Sequence, residues 1–254
     1  MLFYKTAEEI DLIRKSCQLV SETHAMLKQF VKPGVQTLKL DQLAFDFIKD
    51  HNAEPAFLNS NGFPNSLCIS VNDTIVHGIP SNIELRDGDI VSIDCGVIKD
   101  KFFGDSCYTF AVGAIDEKVC AFIDTVKQAL YVGIQNAKEG KRLGDIGNAI
   151  NLFISKNGYS VVREVGGHGI GKQLHEEPNI SNYARPRTGI MLKKGMVIAI
   201  EPMINYGSRQ CRLLDDGWTL KTKDGSISAH FEHTIAINGN NPEILSNFEI
   251  IEKQ

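Results

Sequence analysis

Apolar residues recur at three- and four-residue steps through Ile10, Ile13, Cys17, Val20 and His24, which predicts a helix from Thr6 to Val31. Thr6 and Glu9 stand at capping-box spacing at its start, and Pro33-Gly34 closes it. A second helix is predicted from about Leu40 to His51. Beyond a stretch rich in Gly, Pro and Asn, the pattern turns strand-like over Leu67 to Val76, Ile90 to Val97 and Cys107 to Val112. Helical periodicity returns from Glu117 to Ala137, halts at Lys138-Glu139-Gly140 and resumes from Gly144 to Lys156. Strand patterns run from there to the end.

The order helix, helix, strands therefore occurs twice. Lys32-Pro33-Gly34 precedes Phe47-Ile48 by thirteen residues, and Lys138-Glu139-Gly140 precedes Phe153-Ile154 by the same interval. Leu85, Gly88 and Ile93-Asp94 share their offsets with Leu192, Gly195 and Ile200-Glu201. His77-Gly78-Ile79 and His168-Gly169-Ile170 look like a further matched pair. These offsets predict an internal duplication, with halves at roughly 6–112 and 117–254 of a single catalytic domain spanning 1–254. The expected fold class is α+β, with two antiparallel sheets joined into a curved saddle, helices behind it and the site in the cleft between halves.

Composition narrows the partners. Lys and Arg total 27 against 31 Asp and Glu, both spread along the chain, so no basic stripe or acidic tail points to nucleic acid or a membrane surface. Lys5, Glu8, Glu9, Asp11, Arg14 and Lys15 break any apolar run that could serve as a signal-peptide core. The six cysteines, Cys17, Cys68, Cys95, Cys107, Cys120 and Cys211, form no C-x-x-C pair, so reduced thiols and a cytoplasmic location are expected.

The chemistry lies in acids placed where acids are costly. Asp94 and Glu201 each end an apolar strand pattern, and Asp105 and Glu232 follow one strand later in each half. A carboxylate at such a position loses hydration unless something compensates. Four of them in one cleft repel one another and call for cations. Two divalent ions balance their charge, and oxygen ligands with one imidazole suit Mn, Fe, Co or Zn. His168, framed by Gly166, Gly167 and Gly169, is the expected nitrogen ligand. The His168 to His175 interval is not H-E-x-x-H. On the strand expected through His230 and Glu232, His230 shares the face of Glu232 and should lie near the site.

Five blocks in this order resemble the type I methionine aminopeptidases of the pita-bread fold over nearly the whole chain. They are Asn72-Asp73 through His77-Gly78-Ile79-Pro80; Ile93-Asp94 with Gly104-Asp105-Ser106; Gly167-His168-Gly169-Ile170-Gly171 with His175-Glu176-Glu177-Pro178; Ile200-Glu201-Pro202-Met203; and Phe231-Glu232-His233-Thr234. The resemblance implies that Asp94 binds one metal ion, that His168 and Glu201 bind the other, and that Asp105 and Glu232 bridge both. It implies that His77 and His175 contact substrate near the scissile amide. Glu201 would shuttle a proton to the leaving amine while the free amino terminus is held at a metal.

The same resemblance assigns Phe57, Phe63, Cys68 and Trp218 to the walls of a methionine pocket, which suits a flexible thioether. The chain departs from the common family pattern at Ser60, Phe63, Leu174 and His230, which bears on pocket width and on which second residues are tolerated. The substrate implied is the amino terminus of a peptide or nascent chain with a small second residue, and a monomer is expected. Two other readings share these ligands or this fold. Xaa-Pro peptidases use the same five ligands but commonly carry a domain before the catalytic one, and non-catalytic binding modules on this fold usually lose ligands.

Overall fold

The computed structural model describes residues 2–253. The first half opens with helix α1 (Ala7–Lys28) and helix α2 (Thr37–Asp50), followed by β1 (Glu54–Pro55), β2 (Leu67–Val71), β3 (Thr74–Val76), β4 (Ile90–Lys99) and β5 (Phe102–Ala111). The capping box at Thr6 and Glu9 is formed, with Glu9 N donating to Thr6 Oγ1 at 3.2 Å. A cap of this kind contributes about 1 kcal/mol.

The second half opens with α3 (Glu117–Asn136) and α4 (Leu143–Lys156). Ten short strands follow: β6 (Ser160–Val161), β7 (Gly167–Gly169), β8 (Glu176–Ile180), β9 (Val197–Ile200), β10 (Met203–Asn205), β11 (Cys211–Leu213), β12 (Leu220–Thr222), β13 (Ser228–His230), β14 (His233–Ala236) and β15 (Glu243–Ile244). A short helix, α5 (Phe248–Glu252), closes the chain where strand was expected. Its five residues are too few for a helical period to register in the pattern.

Three strand boundaries differ from expectation for one reason, the left-handed backbone of non-glycine residues. Asn72, at φ 50°, splits the expected strand at 67–76 into β2 and β3. Asp100 and Lys101, at φ 50° and 69°, make a tight hairpin turn that extends β4 to Lys99 and starts β5 at Phe102. Asp94 therefore lies within a long strand rather than at its end. A D-K pair carries none of the Asn-Gly or Asp-Gly signal that marks such turns.

Among the described residues the strands form four hydrogen-bonded sheets of four, three, three and five strands, rather than the two expected. The four-stranded sheet pairs β4 with β1, β2 and β5, and the five-stranded one runs β15-β14-β9-β7-β8. All pairings between these strands are antiparallel. Strand alternation then sorts side chains to two faces. Ile93 and Cys95 of β4 and Ile198 and Ile200 of β9 enter the main core with residues of all four long helices, such as Val20, Ile48, Leu130 and Ile150. Asp94 and Glu201 stand one residue out of step and turn to the other face.

Pairing register corrects one expected correspondence. Three residues before Asp94 is Val91, opposite Val71; three residues before Glu201 is Ile198, opposite Gly169. His168 thus occupies the place of Ser70, not of His77.

Candidate active site and metal centre

The two largest sheets meet along β5 and β14, and polar groups fix them to one another. Glu232 lies between β13 and β14, which belong to different sheets, and its N–H donates to Cys107 O at 3.0 Å. Ser106 Oγ donates to Glu232 O at 2.7 Å, and Thr234 Oγ1 donates to Asp105 O at 2.8 Å. One backbone bond and two hydroxyl-to-carbonyl bonds thus set the spacing between the main chains that carry the Asp105 and Glu232 carboxylates. Gly104 does the same from behind. A Cβ at that position would come within 2.4 Å of Cys17 N, so glycine lets α1 close on β5 directly beneath Asp105.

Asp105, His168, Glu201 and Glu232 are all buried, and Asp94 is half-buried with its Oδ1 out of contact with solvent. Ligand atoms of Asp105, His168 and Glu232 lie within 4.8 Å of one another. His168 Nε2 is 3.5 Å from Glu201 Oε1 and 3.9 Å from Asp105 Oδ2. The His168 Nδ1 lies 2.9 Å from Gly169 O, an N–H donation that leaves Nε2 as the lone-pair nitrogen aimed at the acids. Asn182 Nδ2 donates to Glu201 O at 2.9 Å and holds the backbone beside that ligand.

Burial and mutual repulsion push the acids up. Burial raises Asp94 to about 7, and burial with the neighbouring carboxylates drives Asp105 and Glu232 well above their usual range. Burial and then Asp94 do the same to Glu201. Burial lowers His168 to about 3, with His175 adding to the effect, so its imidazole is neutral. Asp94 Oδ1, Asp105 Oδ1 and Glu232 Oε1 have no hydrogen-bond partner. Buried carboxylate oxygens left bare in one place, around a neutral imidazole nitrogen, make a donor set suited to divalent cations.

These residues line a cleft of about 340 Å³. Its apolar side is Phe57, Phe63, Cys68 and Leu174, which pack with Trp218. Phe63 and Trp218 meet edge to face at 5.2 Å, and Trp218 stands edge-on to His77 at 6.4 Å. His77 is half-buried at φ 56°, a left-handed backbone uncommon for histidine. His175 lies toward solvent, with its ring edge-on to His168 at 4.4 Å. The structure thus brings every site residue expected from the sequence to one cleft. His230 joins them, its Nε2 3.6 Å from Glu201 Oε2. Glu164, Val165, Asn179 and Met203 also line the cleft. Glu164 and Val165 stand in a short connection and Asn179 and Met203 in the short strands β8 and β10, segments too brief to carry a periodic signal.

The sequence profile of metallopeptidase family M24 matches residues 11–239. The chain belongs to this family. A methionine aminopeptidase of Clostridium perfringens is 49% identical over 246 residues, covering 97% of this chain and 99% of that one. The crystal structure of methionine aminopeptidase from Rickettsia prowazekii superposes with a TM-score of 0.96 at 43% identity, over 97% of this chain and 100% of that chain. Prolidase from Pyrococcus furiosus is more distant, with a TM-score of 0.79, 26% identity, and 96% of this chain set against 65% of that one. The M24 peptidase therefore has the pita-bread fold and is a hydrolase of a divalent-metal-binding family, with Asp105, His168 and Glu232 grouped closely enough to hold an ion. Among the described residues, no helix is long and apolar enough to cross a membrane.

Proposed function

We propose that this enzyme removes the amino-terminal methionine from peptides and nascent chains with a small second residue, acting as a cytoplasmic monomer with one catalytic domain over 1–254. The observation that carries the reading is the placing of four carboxylates and a neutral His168 against an apolar wall in one cleft. Phe57, Phe63, Cys68 and Trp218 would take the methionine side chain, through sulfur-aromatic contact and exclusion of water.

Asp94, Asp105, His168, Glu201 and Glu232 would hold two divalent ions, drawn from Mn, Fe, Co and Zn. When bound, the ions supply Lewis-acid polarisation of water and of the first peptide carbonyl, together with a point of attachment for the free amino group. The rest of the chemistry falls to the chain. Burial lowers the pKa values of His77 and His175, so both are neutral at physiological pH and each offers one N–H to the oxygen on which charge develops. Glu201, buried beside Asp105 and His168 at the reacting end of the cleft, would carry a proton to the departing amine.

Three peptides separate the readings: Met-Ala-Ser, Met-Lys-Ser and Ala-Pro-Ala, each with chelator and with metal added back. Methionine released from Met-Ala-Ser alone supports the proposal. Cleavage of Ala-Pro-Ala instead would support an Xaa-Pro peptidase, and no cleavage of any would support a peptide-binding module.

A further inference from the structure

The amino-terminal segment reaches the site from outside the cleft. Lys5 and Glu176 form an ion pair between side chains only 5% and 4% exposed, although they are far apart in sequence. Burying two charges is costly unless each is fully satisfied, so this pair holds its partners in fixed places. On the acid side, Glu176 Oε2 takes the Lys5 ammonium, while Oε1 accepts the Lys172 N–H at 2.8 Å and the Gln173 N–H at 3.2 Å. On the other side, Lys5 N donates to Gly195 O at 2.6 Å.

Glu176 immediately follows His175, and the turn it closes, 171–175, delivers the His175 ring to His168. A second tie joins the same two segments: Lys172 Nζ lies 2.9 Å from Glu9 Oε1, on the residue that completes the α1 cap. Phe103 N also donates to Gly171 O at 2.8 Å, so the turn is pinned from the β4–β5 hairpin as well. Nothing else in the mechanism uses Lys5.

We propose that residues 5–9 are a strap that sets His175 in the cleft, with Lys5 its positioning residue. The inference rests on the reading of His175 as a substrate-contacting group. Removing the ammonium cuts the tie between residue 5 and the turn, whether residue 176 is charged or neutral, so the turn loosens and the His175 N–H is misplaced relative to the reacting carbonyl. Because that contact strengthens as charge develops, the loss falls on turnover rather than on ground-state binding.

The test uses metal-replete enzyme and four proteins: wild type, Lys5→Met, Lys5→Arg, and Lys5→Met/Glu176→Gln. The double variant replaces a buried ion pair by neutral groups and is expected to fold even where the single variant does not. Amide hydrogen exchange is read alongside kcat and KM on Met-Ala-Ser. For Lys5→Met or the double variant, kcat is expected to fall about tenfold with KM within about twofold. Exchange at Lys172 and Gln173 should rise about tenfold while α3 is unchanged. Lys5→Arg should restore most of the turnover. Unchanged kcat, a loss confined to KM, or faster exchange throughout the protein would overturn the strap. If wild type fails to cleave the peptide, the reading of His175 fails instead, and the exchange data alone decide whether Lys5 holds the turn.

Discussion

His168 Nε2 lies 3.5 Å from Glu201 Oε1, on neighbouring segments of one sheet, and this pairing of a neutral imidazole with an acid shows how the centre is built. Burial lowers the histidine and raises the carboxyl, so each is driven to its uncharged form until cations arrive. Metal binding must then displace protons.

That displacement gives the metal-free protein a pH signature. Asp94 titrates at about 7 in the fold against 3.8 unfolded. A raised folded pKa stabilises below the unfolded value, and the benefit is lost as pH rises through the folded one. Unfolded histidine titrates in the same range, so the effect is read as a difference: between pH 5.5 and 7.5 the thermal midpoint of chelated wild type should fall, relative to that of chelated Asp94→Asn, as pH rises. Metal-loaded wild type should show no such fall. Thermal scans at four pH values in that window check it.

His24 should produce the opposite slope at acid pH. It lies in α1 with both ring nitrogens buried and without partners, and burial lowers it to about 4 from 6.5. A lowered histidine stabilises above the unfolded value, and this is lost as pH falls toward the folded one. The loss by pH 5 is on the order of 2 kcal/mol. His24→Leu should remove that part of the acid sensitivity, as read by urea unfolding at pH 8 and pH 5.

The candidate metal centre also depends on a close backbone approach. A Cβ on Gly167 would lie 2.2 Å from Ala199 O, at the crossing of β7 with β9 that sets His168 beside Glu201. Gly167→Ala should cost roughly 1–3 kcal/mol and weaken metal binding more than a substitution of equal cost elsewhere. Calorimetric metal titration beside a denaturation curve separates the two effects.

The apolar wall makes a kinetic prediction. Trp218 packs edge to face on Phe63 at 5.2 Å and faces His77. Trp218→Ala should raise KM for Met-Ala-Ser about tenfold with a smaller change in kcat, the pattern of a lost side-chain contact.

Much of this was legible in the chain. The four long helices were visible because their apolar faces repeat over several turns, and Asp94 and Glu201 stood out because each follows an apolar run in shared register. The hairpin at Asp100-Lys101 was not, because the signal for a left-handed turn lies in residue types that this pair lacks. Glu232 was placed on a continuous strand, whereas it marks the switch between two sheets. Lys5 was invisible as a site residue for another reason: its partner is distant in sequence, and only the folded chain brings an exposed-looking lysine under cover.

The central claim is that the five-residue centre binds metal and drives release of methionine. Wild-type and Asp105→Ala proteins, stripped with chelator and titrated with Mn, Fe, Co or Zn, should be followed for bound metal and for cleavage of Met-Ala-Ser. We expect the stripped wild type to be inactive and to regain activity as it binds up to two equivalents, while Asp105→Ala binds less and stays at least about a hundredfold slower. Full activity in stripped protein, or in Asp105→Ala, would contradict the account.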